Sequence, residues 1–482
     1  MPSTPGSDRL WSLADLVAAT RGDVDGQAAR EVSGVSIDSR SLAPGDLFVA
    51  LQDQRDGHEF VGSAFARGAA AALVSTSYVR GAGDGCLVRV ADTLEGLRAI
   101  GAAARARLSH EARVIAITGS AGKTGTTAML RACLSVIGPT HAPEKSFNNH
   151  WGVPLTLARM PLGSAFAAIE IGMNHAGEIR PLTRLARPHI AVVTNVLPVH
   201  VGNFADGEVG VANAKAEIFE GLVAGGIAIL PRDNPHFDRL ADAARRCGAR
   251  IVTFGTADDA DVRATRLDPE NDGTRVTLST GERWRVGSPG RHIAINSLAV
   301  AAVLQQLAGS MPSGIDLATA LAAIGDVQPS AGRGRQAHYR VARADGAPTA
   351  EILLIDESYN ANPASMRAAL AVLGAAQPRG EGRRIAVMGD MLELGAAGPA
   401  MHTGLLDAVM AAGADLVFAC GPMMRGLYQA LPESRRGAWA EKSGDLAASV
   451  VAALATGDVV MVKGSLGTNM APIVAAITTR SK

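Results

Sequence analysis

The stretch Val114-Ile-Ala-Ile-Thr-Gly119-Ser120-Ala121-Gly122-Lys123-Thr124-Gly125 constrains this chain more than any other. Its apolar start reads as a buried strand, its glycines as a tight turn, and the residues that follow as a helix. A helix opening on such a turn aims backbone N–H groups at an anion. A lysine there neutralises the β- and γ-phosphates of a nucleotide, and the Thr124 hydroxyl is available to Mg2+. The motif is the shorter GxxGKT, because Ile117 stands five positions before Gly122. Its lysine sets it apart from a dinucleotide fingerprint. Gly119, Ser120, Ala121, Gly122, Lys123, Thr124 and Gly125 are therefore expected to bind the nucleotide.

A phosphate loop needs a parallel sheet behind it, and the pattern supplies one. Apolar runs at 114–117, 165–170, 190–194, 227–230 and 251–254 alternate with helix-length segments. This predicts a doubly wound α/β fold with both sheet faces covered. Upstream, a mixed module is expected, with helices at 13–19, 61–68 and 94–108 and strands near 35–37, 47–50 and 71–75. Downstream, the Gly-, Pro- and Ser-rich stretch 325–334 reads as a linker. Alternation restarts at 352–356, 384–388, 416–420 and 459–462, predicting a smaller Rossmann-like domain. A length of 482 residues suits three domains, and the expected divisions are 1–112, 113–328 and 329–482.

Composition narrows the function classes. Lys+Arg and Asp+Glu are 46 each, so neither nucleic acid nor anionic lipid is expected as the main partner. Aromatic residues are only 4%, which leaves Ala, Val, Leu and Ile to fill the core and argues against a base-stacking platform. Cys86, Cys133, Cys247 and Cys420 lie far apart without a CxxC and are expected as buried free thiols. The first ten residues lack a secretory pattern, and no uncharged apolar run reaches the roughly 20 residues of a membrane span. A cytoplasmic protein without a membrane span is expected.

Four further patches fall in the middle third: Ser146-Phe-Asn148-Asn149, Glu170-Ile-Gly-Met-Asn174-His175, Asn195-Val-Leu-Pro-Val-His200 and Ala214-Lys215-Ala-Glu217. Glu170 and His200 follow apolar strands, at the carboxyl ends where open α/β sheets bind ligands. Singly, Glu170 reads more readily as a solvated strand end and His200 as a packed loop residue. Together, beside a phosphate loop, they suit a divalent ion bridging nucleotide oxygens. The histidines form no HExxH or Cys/His zinc spacing.

Taken together, the motifs resemble the Mur ligase superfamily, ATP-dependent amide-bond formers of peptidoglycan precursor synthesis, over nearly the whole chain. The first module contributes Asp38-Ser39-Arg40 and Asp56-Gly-His58. The second contributes the phosphate loop, Asn148-Asn149-His-Trp-Gly-Val-Pro, Glu170 to Glu178 and Lys215. The third contributes Asp356-Glu357-Ser-Tyr359-Asn360-Ala-Asn362-Pro, Gly389-Asp-Met-Leu-Glu-Leu-Gly395 and Val462-Lys463-Gly-Ser465. The SYNANP and GDMLELG stretches resemble the member that joins D-alanyl-D-alanine to UDP-MurNAc-tripeptide.

The resemblance implies that ATP phosphorylates a terminal carboxylate and that an amine attacks the acyl phosphate, giving UDP-MurNAc-pentapeptide, ADP and phosphate. It implies that Lys123 holds the β- and γ-phosphates, Thr124 one of two Mg2+ ions, and Glu170 and His200 the other. Lys215 matches a carbamylated lysine, although by sequence alone it reads as a helix-surface residue. Asn296, with His292, resembles an adenine contact. Arg333 resembles an arginine that reaches the γ-phosphate, with Arg335 as the alternative, and Glu357 is expected at the ribose. Tyr359, Asn360 and Asn362 are expected in the cleft between the second and third domains, Asn148 and Asn149 at the substrate, and Asp38, Ser39 and Arg40 at the uridine nucleotide.

Lys463 reads either as a solvated strand end or as a residue near the dipeptide, and Asp233-Asn234-Pro235 as a turn. A monomer that closes about the Gly-rich hinge is expected. The alternatives are a diaminopimelate- or lysine-adding relative, a folylpolyglutamate synthase, or a nucleotide sensor without turnover.

Overall fold

The computed structural model describes residues 9–26, 31–53, 55–199, 201–270, 272–310, 316–342 and 349–479. Short apolar runs assemble, in chain order, into three main sheets of five, nine and six strands, beside a two-stranded pair of Trp11–Ser12 with Glu31–Val32.

The first sheet runs Asp23–Asp25, Cys86–Val90, Ala71–Ser75, Asp46–Val49, Gly34–Ser36, parallel except for its first pair. Cys86–Val90 is a strand the apolar pattern did not announce, because Arg89 interrupts it. That guanidinium is held at the edge by Asp25 (2.7 Å) and the Tyr78 carbonyl (2.7 Å). Helix Thr93–Ala106 then lies against helix Gly152–Ala158 of the middle region, and a Cβ on Gly101 would sit 3.1 Å from the Pro154 carbonyl. Trp11 donates to the Ala158 carbonyl (2.8 Å) under the Arg107 guanidinium, Arg105 to the Ala186 carbonyl (2.9 Å), and Arg159 to the Val35 carbonyl (2.6 Å). These contacts staple the first sheet to the second.

The second sheet runs Thr140–His141, Phe166–Glu170, Arg113–Thr118, Ile190–Val193, Ile227–Pro231, Arg250–Gly255, Val262–Glu270, Gly273–Leu278, Arg283–Val286. It is parallel through Val262–Glu270, and two antiparallel strands finish it, an edge the apolar runs did not predict. Alternation builds both cores. Ile115 and Ile117 face one cluster with Leu130 and Leu298, whereas Val114 and Ala116 face the other with Leu155 and Ile179. The chain leaves the phosphate-loop strand to one neighbour and returns on its other side. This reversal opens a crevice at the carboxyl ends of the strands.

The third sheet runs Arg335–Val341, Ala350–Glu357, Val459–Lys463, Arg384–Gly389, Leu416–Cys420, Arg436–Ala440, with only the first pair antiparallel. Glu357 and Lys463 are register partners at adjacent carboxyl ends.

Cys86, Cys133 and Cys420 are buried as expected, but Cys247 is exposed. Helix Phe237–Arg246 has already ended there, and Gly248, at φ +70°, turns the chain outward before the next strand. Among the described residues no helix is long and apolar enough to cross a membrane.

Candidate active site

The phosphate loop can be closed only by glycine. Gly119 and Gly122 have φ +152° and +80°. A Cβ at the first would meet Thr194 Oγ1 at 1.9 Å, and at the second Asn296 Nδ2 at 2.1 Å. Neighbouring strand ends fix the rest of the loop. Ser120 and Ala121 donate their backbone N–H groups to the carbonyl (3.0 Å) and side-chain oxygen (2.9 Å) of Asn195, and Thr194 Oγ1 donates to the Ala121 carbonyl at 2.7 Å. Lys123 Nζ folds back onto the Gly119 carbonyl at 2.8 Å. Burial lowers its pKa; Glu170 opposes that shift and Arg333 adds to it.

Thr124, in the first turn of helix Lys123–Ile137, donates to Glu170 Oε2 at 2.9 Å and lies 2.7 Å from Ser146 Oγ. Glu170 is 1% exposed, and its other oxygen accepts from Asn148 Nδ2 at 2.7 Å. Arg333 reaches this group from the linker, donating to Ser146 Oγ at 2.8 Å while its guanidinium lies 3.9 Å from the Tyr359 ring centroid. Arg335 points elsewhere: it sits on strand Arg335–Val341, paired with Asp356, and is exposed. Gly332 and Gly334, at φ +76° and +97°, flank Arg333, and Gly332 donates its N–H to Asp356 Oδ2 at 2.8 Å.

Across the cleft, Asn296 is buried against Gly122. His292 keeps an exposed face, yet desolvation by the surrounding protein lowers its pKa, and it feels the charges of Glu357 and Lys463. Lys463 is 2% exposed and donates to Glu357 Oε2 (3.2 Å) and the Asn360 carbonyl (2.9 Å), so the solvated strand-end reading falls. Asn362 caps helix Pro363–Ala375 by accepting from the Ser365 N–H at 2.9 Å, and Asn360 Oδ1 accepts from the Ala361 N–H at 2.9 Å. A cleft of about 1940 Å³ runs along the phosphate loop and past Asn148, Glu170, Asn296, Arg333, Tyr359 and Lys463. Asp233-Asn234-Pro235 is a turn that also borders it. There Asp233 holds the Thr256 and Ala257 N–H groups, both at 2.7 Å.

Other expected residues lie outside this group. Asn149 Oδ1 accepts from the Gly152 N–H at 2.8 Å, a helix-start contact off the cleft lining. Asp38, Ser39 and Arg40 follow strand Gly34–Ser36. Arg40 grips Asp38 at 2.8 and 2.9 Å and, with Lys145 adding, holds its carboxyl at about 2. Lys145 also borders the cleft, which links the two places. Lys215 is 3% exposed, not a helix-surface residue; burial, then the Lys123 charge, drives its pKa well below the usual value. His200 lies outside the described residues. Among those described, no three His, Cys, Asp or Glu side chains cluster as a metal site. Sequence reasoning gave no role to Ser146 or Asn195, although both lie in patches it singled out.

Three family models match the chain: the Mur ligase middle domain over 117–304, the Mur ligase glutamate ligase domain over 340–466, and the Mur ligase family catalytic domain over 31–81. The UDP-N-acetylmuramoyl-tripeptide–D-alanyl-D-alanine ligase of Escherichia coli is 37% identical over 428 residues, 87% of this chain and 88% of that one. The chain belongs to the Mur ligase family. The Bacillus subtilis ligase of the same name is 32% identical over 92% of both chains. A crystal structure of MurF from Acinetobacter baumannii superposes with a TM-score of 0.79 at 29% identity, covering 97% of this chain and 98% of that one. The three-sheet arrangement is thus that of a Mur ligase, and the phosphate loop falls in the middle-domain match.

Proposed function

We infer that the protein is the Mur ligase that uses ATP to join D-alanyl-D-alanine to UDP-MurNAc-tripeptide. The observation that carries this reading is the cleft in which a phosphate loop, a buried carboxylate and the linker arginine meet. The activity for which the Escherichia coli and Bacillus subtilis relatives are named supplies the substrates. A carboxylate is a poor acyl donor; phosphorylation makes it reactive, and that transfer needs alignment and charge neutralisation more than a protein nucleophile.

In this reading the loop N–H groups and Lys123 hold the β- and γ-phosphates, and Arg333 swings with the third sheet to the γ-phosphate. Asn296 and His292 border the adenine, and Glu357, kept in place by Lys463, the ribose. Tyr359, Asn360 and Asn362 border the incoming dipeptide, Asn148 the substrate, and Asp38, Ser39 and Arg40 the uridine end. Asn149 serves the helix start.

The donor set fits Mg2+: Thr124 Oγ1 and Glu170 Oε2 offer hard oxygens 2.9 Å apart with room for phosphate oxygens. Thr124, Glu170, His200 and Lys215 would hold two ions. Bound Mg2+ would neutralise the phosphate oxygens during transfer. Lys215 fits carbamylation, because burial and the Lys123 charge both favour the neutral, nucleophilic form of its amine. Its nitrogen lone pair would attack the carbon of CO2, one C=O π pair would move onto oxygen and the N–H proton would pass to water, which would leave a carboxylate-like ligand near Lys123. The reading includes a cytoplasmic monomer whose domains divide near 112 and 328.

The test is phosphate release from Mg-ATP with UDP-MurNAc-tripeptide, with and without D-alanyl-D-alanine, and mass spectrometry of the nucleotide product. Release that needs both substrates and yields the pentapeptide is expected. Release only with a free amino acid would overturn the substrate assignment, and binding without release would favour a sensor.

A further inference from the structure

Ser146 has no part in the chemistry above, yet the two sides of the cleft meet at it. It lies between strand Thr140–His141 and helix Gly152–Ala158 of the second sheet. Its oxygen is 2.7 Å from Thr124 Oγ1 and accepts from Arg333 Nη2 at 2.8 Å. A guanidinium can only donate, whereas a hydroxyl has one proton and two lone pairs. Ser146 therefore accepts from Arg333 and is free to donate to Thr124, which donates to Glu170 at 2.9 Å. The donors run in one direction, from the linker to the buried carboxylate, so each bond polarises the next. At the far end, the Arg333 guanidinium lies 3.9 Å from the ring centroid of Tyr359, in the turn that follows strand Ala350–Glu357 of the third sheet.

We propose that Ser146 is a positioning residue: its hydroxyl draws Arg333 to the phosphate loop before nucleotide arrives and gives up both partners when Mg-nucleotide enters. The inference rests on the ligase reading for one point only, that Thr124 and Arg333 are the groups metal and γ-phosphate claim. The bridge would favour closure of the empty enzyme and keep the arginine aimed while the cleft fills.

The test is small-angle scattering of the full nucleotide-free chain, as wild type, Ser146→Thr, Ser146→Ala, Arg333→Met and the double variant Ser146→Ala/Arg333→Met. Losing one hydrogen bond to a charged group changes the closed-to-open ratio by about tenfold to a hundredfold. Ser146→Ala and Arg333→Met should each enlarge the radius of gyration by the same amount, and the double variant no further, because both remove one contact. Ser146→Thr, which keeps the hydroxyl, should stay compact, a rescue that mere packing would not give. A wild-type radius in Ser146→Ala, or enlargements that add, would overturn the proposal. Product formation is measured separately; an inactive wild type with this scattering pattern would remove the ligase reading and leave the bridge standing.

Discussion

Lys123 and Lys215 are two amines in one desolvated region, and the second cannot hold its proton easily beside the first. A carbamate on Lys215 would turn repulsion into attraction, which is the physical case for modifying it. Lys215→Ala is expected to lose ligase activity and to recover part of it with added short carboxylic acids. Full activity without them would refute the carbamate. With Lys123 holding the phosphates as proposed, Lys123→Ala should lower product formation by about 10²–10³-fold. Wild-type turnover in that variant would overturn its assignment to the phosphates.

The phosphate-loop strand depends on a neighbour that is easily overlooked. His189 accepts the Val114 N–H on Nδ1 at 2.9 Å and returns its own N–H to the Val114 carbonyl at 2.8 Å. Burial first, then Arg105, Arg113 and Arg187, lowers its pKa from 6.5 to about 4. The folded state keeps this imidazole neutral while the unfolded chain binds a proton, so stability is full above 6.5 and is lost as pH falls toward 4. Denaturant midpoints measured across that window should decline in wild type and flatten in His189→Asn. At the turn itself, Gly122→Ala adds a left-handed cost of about 1–2 kcal/mol and a clash with Asn296, so weaker nucleotide binding and a lower Tm are expected.

The strands around this turn were legible because their alternation is unbroken. The edge at Val262–Glu270, Gly273–Leu278 and Arg283–Val286 was not, because charged residues interrupt it and its bonds come from a neighbouring hairpin. Likewise the GxxGKT motif announced Lys123 and Thr124, but nothing local in Ser146 or Asn195 says that the fold brings them 2.7 Å from Thr124 and 2.9 Å from the Ala121 N–H. The burial of Lys215 and Lys463 is also invisible in sequence, since it depends on what packs over each strand end or helix.

At the scale of the molecule, the linker is where shape and chemistry join. Asp356 ties it to the third sheet through the Gly332 N–H, and Gly334 donates its own N–H to the Asp356 carbonyl at 2.8 Å. Gly334→Val, placed at φ +97°, should reduce kcat more than the KM for ATP, because it perturbs delivery of Arg333 and leaves the phosphate loop untouched. Steady-state kinetics with both substrates varied would check this, and an unchanged kcat would count against it. The stapling of the first sheet by Trp11, Arg105 and Arg159 has a separate consequence. In the proposed reading the molecule works as a vice with one fixed jaw, the stapled five- and nine-stranded sheets. A ligand confined to the fixed jaw can bind but cannot drive closure; one that spans the gap to the third sheet could jam the movement even without resembling a reactant.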